Sequence, residues 1–131
     1  MRTHRLGKIS KLQQLCDKSI SKLIREKGFC EKCGTKNSDF DTAHVVGRKN
    51  LTLRWDILNL LCLCRDCHRW GHAHPKEFRK WFDNKYPERS EYVDSVKNRI
   101  IWKSVLDYEE LLDNIEKKNF GSLITPYESV S

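Results

Sequence analysis

No stretch of this chain is apolar for the roughly 20 residues that a membrane-spanning helix requires. Its first residues, MRTHRLGKIS, are basic and lack the apolar segment of a secretion signal. Apolar surface is scarce throughout: charged residues make up 33% of the 131, and the mean hydropathy is −0.71. A large core is therefore excluded, and the length suits one small domain with extensions. No internal repeat or low-complexity segment is present.

What the chain does have is cysteine in pairs. Cys30 and Cys33 stand as C-x2-C in FCEKCGT, and Cys64 and Cys67 stand as C-x2-C in CLCRDCHRW. A C-x2-C turn points two thiolates at one centre, and two such turns supply the four sulfurs of a closed tetrahedral Zn²⁺ site. A metal staple offsets a small core. The six cysteines could also form the three disulfides of a secreted protein. The absence of a signal segment favours a reducing cytoplasm, where paired thiols bind metal.

Net charge is +7 and unevenly spread. Residues 1–29 hold eight Lys/Arg against two Asp/Glu, residues 30–80 ten against six, and residues 81–131 seven against ten. The positive field over the first two segments suits a polyanion such as nucleic acid. A solvated, soluble surface is the plainer reading of the same charge, and charge alone does not choose between them.

The spacing of Leu6, Ile9, Leu12, Cys16, Ile20, Leu23 and Ile24 predicts an amphipathic helix over 6–27, with Lys8, Lys11, Lys18, Lys22 and Arg25 opposite and Gly28 closing it. Cys16 falls on the apolar stripe as a buried free thiol. A knuckle at 29–40, a strand at 41–46, a basic turn at 47–50 and a strand at 59–63 follow. Cys62 is two residues from Cys64 and is expected on the same strand face, where it would crowd the metal without ligating it. A helix begins at 65–70 and is expected to break at Gly71. Pro75 opens another helix, with Phe78, Trp81 and Phe82 in the core, and Tyr86-Pro87 ends it. Helices are expected at 90–103 and 107–118, with Ser90 and Asp107 as N-caps. The last is acidic, and the tail FGSLITPYESVS is expected to be loose. Trp55 and Trp70 read as packing residues.

Between the cysteine pairs lie His44 on the first strand and Asn59 at the start of the second. His68 lies in the first helical turn after Cys67. HVV…NLLCLCRDCH resembles the zinc-ribbon HNH endonucleases. The flanking KLIREKGFCEKCG, DTAHVVGRKN, LRWDILN and CRDCHRWGHAHPKEFRKWFDNKY are similar to the phage NinG/Rap recombination endonuclease family, over about residues 12–95. The resemblance implies an α+β fold with a small zinc-stapled ββα-metal core at 30–86. A basic amphipathic helix at 1–29 and a helical extension with a loose tail at 87–131 would flank it.

It also implies chemistry. His44 would be the general base that activates water, and His68 a ligand of a catalytic Mg²⁺ or Mn²⁺ distinct from the structural zinc. Asn59 would either help bind that ion or hold the loop that orients His44. Many members carry a metal-binding Asp or His immediately before the base, where this chain has Ala43. Asp41, two residues earlier on the same strand face, is the proposed carboxylate ligand; closing a turn is its plainer role. His72, one turn after His68, could face the same ion unless Gly71 breaks the helix, and His74 is a weaker candidate. His68 could instead replace Cys67 at the zinc. Arg48, Lys49, Arg54 and Arg69 are placed to contact phosphates.

The implied function is metal-dependent hydrolysis of DNA phosphodiesters, on branched recombination intermediates, in a bacterial or phage-infected cell. A homodimer would suit paired cuts. Two other readings stand beside it: a zinc module that binds nucleic acid without cutting, favoured by Ala43, and a protein-interaction domain using the acidic C-terminal helices.

Overall fold

The computed structural model describes residues 2–125 of the chain, with side chains from residue 7 onward. The fold is α+β: helix α1 (Arg2–Arg25), strand β1 (Phe40–His44), strand β2 (Leu60–Cys64), then helices α2 (Arg65–Ala73), α3 (Pro75–Lys85), α4 (Pro87–Val96) and α5 (Val105–Glu116). β1 and β2 pair antiparallel, with Phe40 opposite Cys64 and His44 opposite Leu60. Side chains alternate across a strand, so this ribbon feeds two cores.

On one side, Leu60 and Cys62 meet the stripe of α1 (Leu12, Cys16, Ile20, Leu23, Ile24) together with Tyr108 and Ile115 of α5. On the other, Ala43, Leu61 and Leu63 meet Phe78 and Phe82 of α3 and Val93 and Val96 of α4. The amphipathic stripe of α1 is thus what its spacing predicts, and the acidic α5 docks on it. Leu6, the first stripe position, lies outside the described side chains. Gly28 takes a left-handed φ of 72°, as a chain leaving a helix requires. Cys16 is buried, and its thiol points at the Tyr108 carbonyl, 3.7 Å away. Burial pushes that thiol up to about 12.

Several expectations are corrected. α2 runs unbroken through Gly71 to Ala73. The missing side chain there makes room for Phe78, whose Cδ1 would lie 3.0 Å from an added Cβ. α4 starts at Pro87 rather than Ser90, and the Ser90 hydroxyl binds Asp83. α5 is capped by Ser104, with Asp107 as the third residue of a reciprocal capping box. Cys62 is buried beneath α1, apart from the four-sulfur group. The tail is anchored as far as Thr125, which donates to Asp56 through its backbone and to the Thr52 carbonyl through its hydroxyl. Its remainder, 126–131, lies outside the described residues.

Candidate functional site

Cys30, Cys33, Cys64 and Cys67 bring their sulfurs within 4.8 Å of one another, the arrangement of a group able to hold a metal ion such as zinc. Cys33 and Cys64 lie 3.7 Å apart. Two thiolates of one tetrahedral zinc stand roughly 3.75 Å apart, so the residues fit that ion. Each half is built locally. The Cys33 amide points at the Cys30 sulfur, and the Cys67 amide at the Cys64 sulfur, which caps α2. His68 is not part of this group; its ring is turned to other partners.

Glu31, inside the first knuckle, is a buried carboxylate. It accepts from the Cys62 amide at 2.6 Å, the Lys27 ammonium at 3.1 Å and the Tyr86 hydroxyl at 2.9 Å. It ties the knuckle to the turn after α1, to β2 and to the α3–α4 corner. Burial, and then the hydrogen bond to Glu31 and its charge, raise the Tyr86 hydroxyl to about 12. Nothing in the local sequence marks Glu31 for this work, since its partners lie as far as 55 residues away.

A cleft of about 930 Å³ opens between α1 and the α2–α3 hairpin, along the edge of β1 that pairs with no strand among the described residues. His44, His68 and His72 all line it, as do Lys18 of α1 and Arg48 of the basic turn. Continuity of α2 across Gly71 is what places His72 one turn above His68. Their Nε2 atoms stand 3.1 Å apart. The other nitrogen of His68, Nδ1, donates to Asp41 Oδ2 at 3.0 Å. Asp41 and His72 therefore occupy opposite edges of one imidazole ring. Asp41, expected as a ligand beside His68, lies with its carboxylate on the Nδ1 edge of that ring.

His44 is half-buried at the end of β1. Burial, then the Arg48 charge, hold its ring below the ordinary histidine value; a hydrogen bond with the Arg54 backbone and the Asp17 carboxylate oppose the shift. Asn59 is fully buried. Its Nδ2 donates to the Val46 and Leu53 carbonyls, both at 3.0 Å, and its Oδ1 accepts from the Val46 amide at 2.8 Å. Each of these bonds goes to the loop that follows His44, the loop-holding one of its two expected roles.

Asp17 of α1 is the residue that spacing did not single out. Its Oδ1 accepts from Trp55 Nε1 at 2.8 Å and Arg54 Nε at 3.0 Å, and its Oδ2 accepts from both Arg54 and Arg48. Those cations, with burial opposing them, hold its carboxyl below the usual range. Arg54, expected on phosphates, is mostly covered and committed to this pair, whereas Arg48 is 61% exposed at the cleft. Lys49 and Arg69 are exposed, and His74 packs beside Trp70 rather than on the cleft. Arg89 secures the approach to β2, donating to the Ile57, Leu58 and Leu60 carbonyls.

No helix among the described residues is long and apolar enough to cross a membrane. Comparison with family models, curated proteins and solved structures gives no match.

Proposed function

We propose that the chain is a zinc-stapled, divalent-metal-dependent endonuclease acting on DNA phosphodiesters. The observation that carries this reading is the cleft shared by His44, His68, His72 and Arg48. It agrees with the resemblance to HNH endonucleases in residues 30–68.

The His68 and His72 nitrogens suit a cation. Two ligand atoms about 2.0–2.1 Å from one ion lie roughly 2.8–3.0 Å apart at an octahedral right angle and roughly 3.3–3.4 Å apart at a tetrahedral angle, which brackets the separation found. Asp41 fixes the His68 ring from behind, keeping the proton on Nδ1 and the Nε2 lone pair toward the cleft, the usual arrangement of a carboxylate behind a ligating histidine. Magnesium or manganese with few protein ligands would complete its shell with water and substrate oxygens. When bound, such an ion supplies neutralisation of the charge developing on the phosphate and its leaving oxygen.

The chain's own residues supply the rest. Depression of the His44 pKa keeps the imidazole neutral at cellular pH, the form that can take a proton from water. The Arg54 backbone holds the ring on one side and Asn59 holds the loop behind it. Arg48 and Lys18 supply positive charge along the cleft for phosphate oxygens. Branched recombination intermediates remain the substrate that the resemblance suggests.

The test is Mg²⁺- or Mn²⁺-dependent cleavage of linear and branched DNA by the wild type, by His44→Ala and by His72→Ala. Cleavage by the wild type alone, with DNA affinity retained in both variants, is expected. Ala43, standing where many family members have a metal ligand, favours the second reading, a zinc module that binds nucleic acid without cutting. DNA binding by all three proteins with cleavage by none would establish that reading instead.

A further inference from the structure

The segment that runs from His44 to Asn59 is gripped from two sides. Asn59 holds it at Val46 and Leu53. From α1 a single carboxylate holds it: the four side-chain bonds that Asp17 accepts come from Trp55, from Arg54 twice and from Arg48. The two arginines are held differently. Arg54 uses Nε and Nη2 as a fork, one nitrogen on each carboxylate oxygen, and is mostly covered. Arg48 gives Nη2 alone, at 2.9 Å, and forms no other hydrogen bond or ion pair among the described residues. Its remaining donors are therefore free for a ligand of the cleft, which Arg48 lines.

Asp17 lines the same cleft as His44 and Arg48. A lone ion pair as exposed as Asp17–Arg48 fixes little by itself. Here the carboxylate is already immobilised by the Arg54 fork and by the indole of buried Trp55, so Arg48 is tethered to a rigid acceptor. The same carboxylate reaches His44 by a second route. The His44 ring bonds to the backbone of Arg54, the residue that Asp17 grips by its side chain. One group on α1 thus holds both the rim cation and the support of the histidine.

We propose that Asp17 is a positioning residue of the cleft: through Arg54 it holds the backbone that orients His44, and through Arg48 it fixes a phosphate-binding guanidinium at the rim. The inference rests on the proposed hydrolysis, because it has Asp17 present a base and a cation to one phosphate. Its effect falls on the rate of the bound complex rather than on affinity. A carboxylate on the cleft wall repels phosphate, so removing its charge leaves DNA binding unchanged or tighter. Misplacing the base and the cation slows the chemical step. The opposite signs separate positioning from a contribution to binding.

The test compares the wild type, Asp17→Asn, Arg48→Ala and the double variant at a temperature where circular dichroism shows each folded. Asp17→Asn keeps the size of the side chain and removes its charge. Its kcat for Mg²⁺-dependent DNA cleavage is expected to fall by roughly 100-fold, while DNA affinity by fluorescence anisotropy is unchanged or tighter. Arg48→Ala should cost less kcat in the Asp17→Asn background than in the wild type, because the released guanidinium has already lost its place. Additive losses, or weakened DNA binding with kcat retained, would overturn the proposal. Side-chain ¹⁵N relaxation gives a readout without cleavage. Arg48 Nε should be ordered in the wild type, and in Asp17→Asn its order parameter should fall below about 0.6. A wild type that cuts nothing, with Arg48 mobilised by Asp17→Asn, would remove the nuclease reading and leave Asp17 as the anchor of Arg48. A wild type that cuts, with neither kcat nor Arg48 order altered by Asp17→Asn, would do the reverse. If Asp17→Asn does not fold, the wild-type spectrum decides: an Arg48 side chain already mobile there overturns the proposal.

Discussion

His68 and His72 face each other across one turn of α2 with their Nε2 atoms 3.1 Å apart, while Asp41 holds the far edge of the His68 ring. Two imidazoles so placed either share a proton or share a cation. The carboxylate on Nδ1 decides which His68 nitrogen is free, so the pair presents a lone pair to the cleft.

Metal binding should therefore depend unequally on the three residues. His72→Ala is expected to abolish the Mn²⁺-induced broadening of the His68 side-chain NMR signals. Asp41→Asn should only weaken it, by about 10- to 100-fold in affinity. A Mn²⁺ titration of each variant checks this, and equal losses from Asp41→Asn and His72→Ala would return Asp41 to the ligand set.

The four-sulfur group makes a separate prediction. Protein purified under reducing conditions should contain zinc in equimolar amount by elemental analysis. Cys64→Ser should lose it, together with the cooperative thermal transition, because Cys64 also caps α2 and ends β2. A zinc-free protein with an unchanged melting curve would refute the staple.

Cleavage should report the state of His44. Burial and Arg48 hold its pKa below the ordinary 6.5, so activity is expected to persist to a pH below that value. The lost limb on the acid side marks protonation of the base. Arg48→Ala removes a cation that disfavours the charged ring, so the limb should move to higher pH even as the overall rate falls. A limb that stays in place, read from a pH–rate profile, would separate His44 from proton transfer.

Asn59→Ala should destabilise the fold by roughly 2–4 kcal/mol, since it strands the Val46 amide and carbonyl and leaves the Leu53 carbonyl with the Asp56 amide alone. Denaturant melts measure this. A change below about 0.5 kcal/mol would mean that water replaces all three bonds.

Some of this was legible in residues close together along the chain. The apolar stripe of α1 is a matter of helical period, and its burial follows wherever α1 finds a partner. Gly71 misled because helix propensity alone makes glycine a break; the close approach of Phe78 from α3 gives it a packing reason instead. Ser90 and Asp107 each have the chemistry of an N-cap, yet Pro87 and Ser104 lie ahead of them and start the helices earlier. Arg54 and Arg48 read alike as cations, but their neighbours differ. Arg54 is held by a carboxylate 37 residues away and largely withdrawn from water, while Arg48 stays at the cleft rim.

By itself, the order of residues determined the two C-x2-C turns, the basic amphipathic helix and the placing of His68 beside a cysteine pair. Each follows from turn or helix geometry within a few peptide units. Only the tertiary structure decided that Asp41 stands behind His68, that Asn59 serves the loop and that Asp17 claims Arg54. Those outcomes depend on which groups packing brings together and which it shuts off from water, and local spacing carries no record of either.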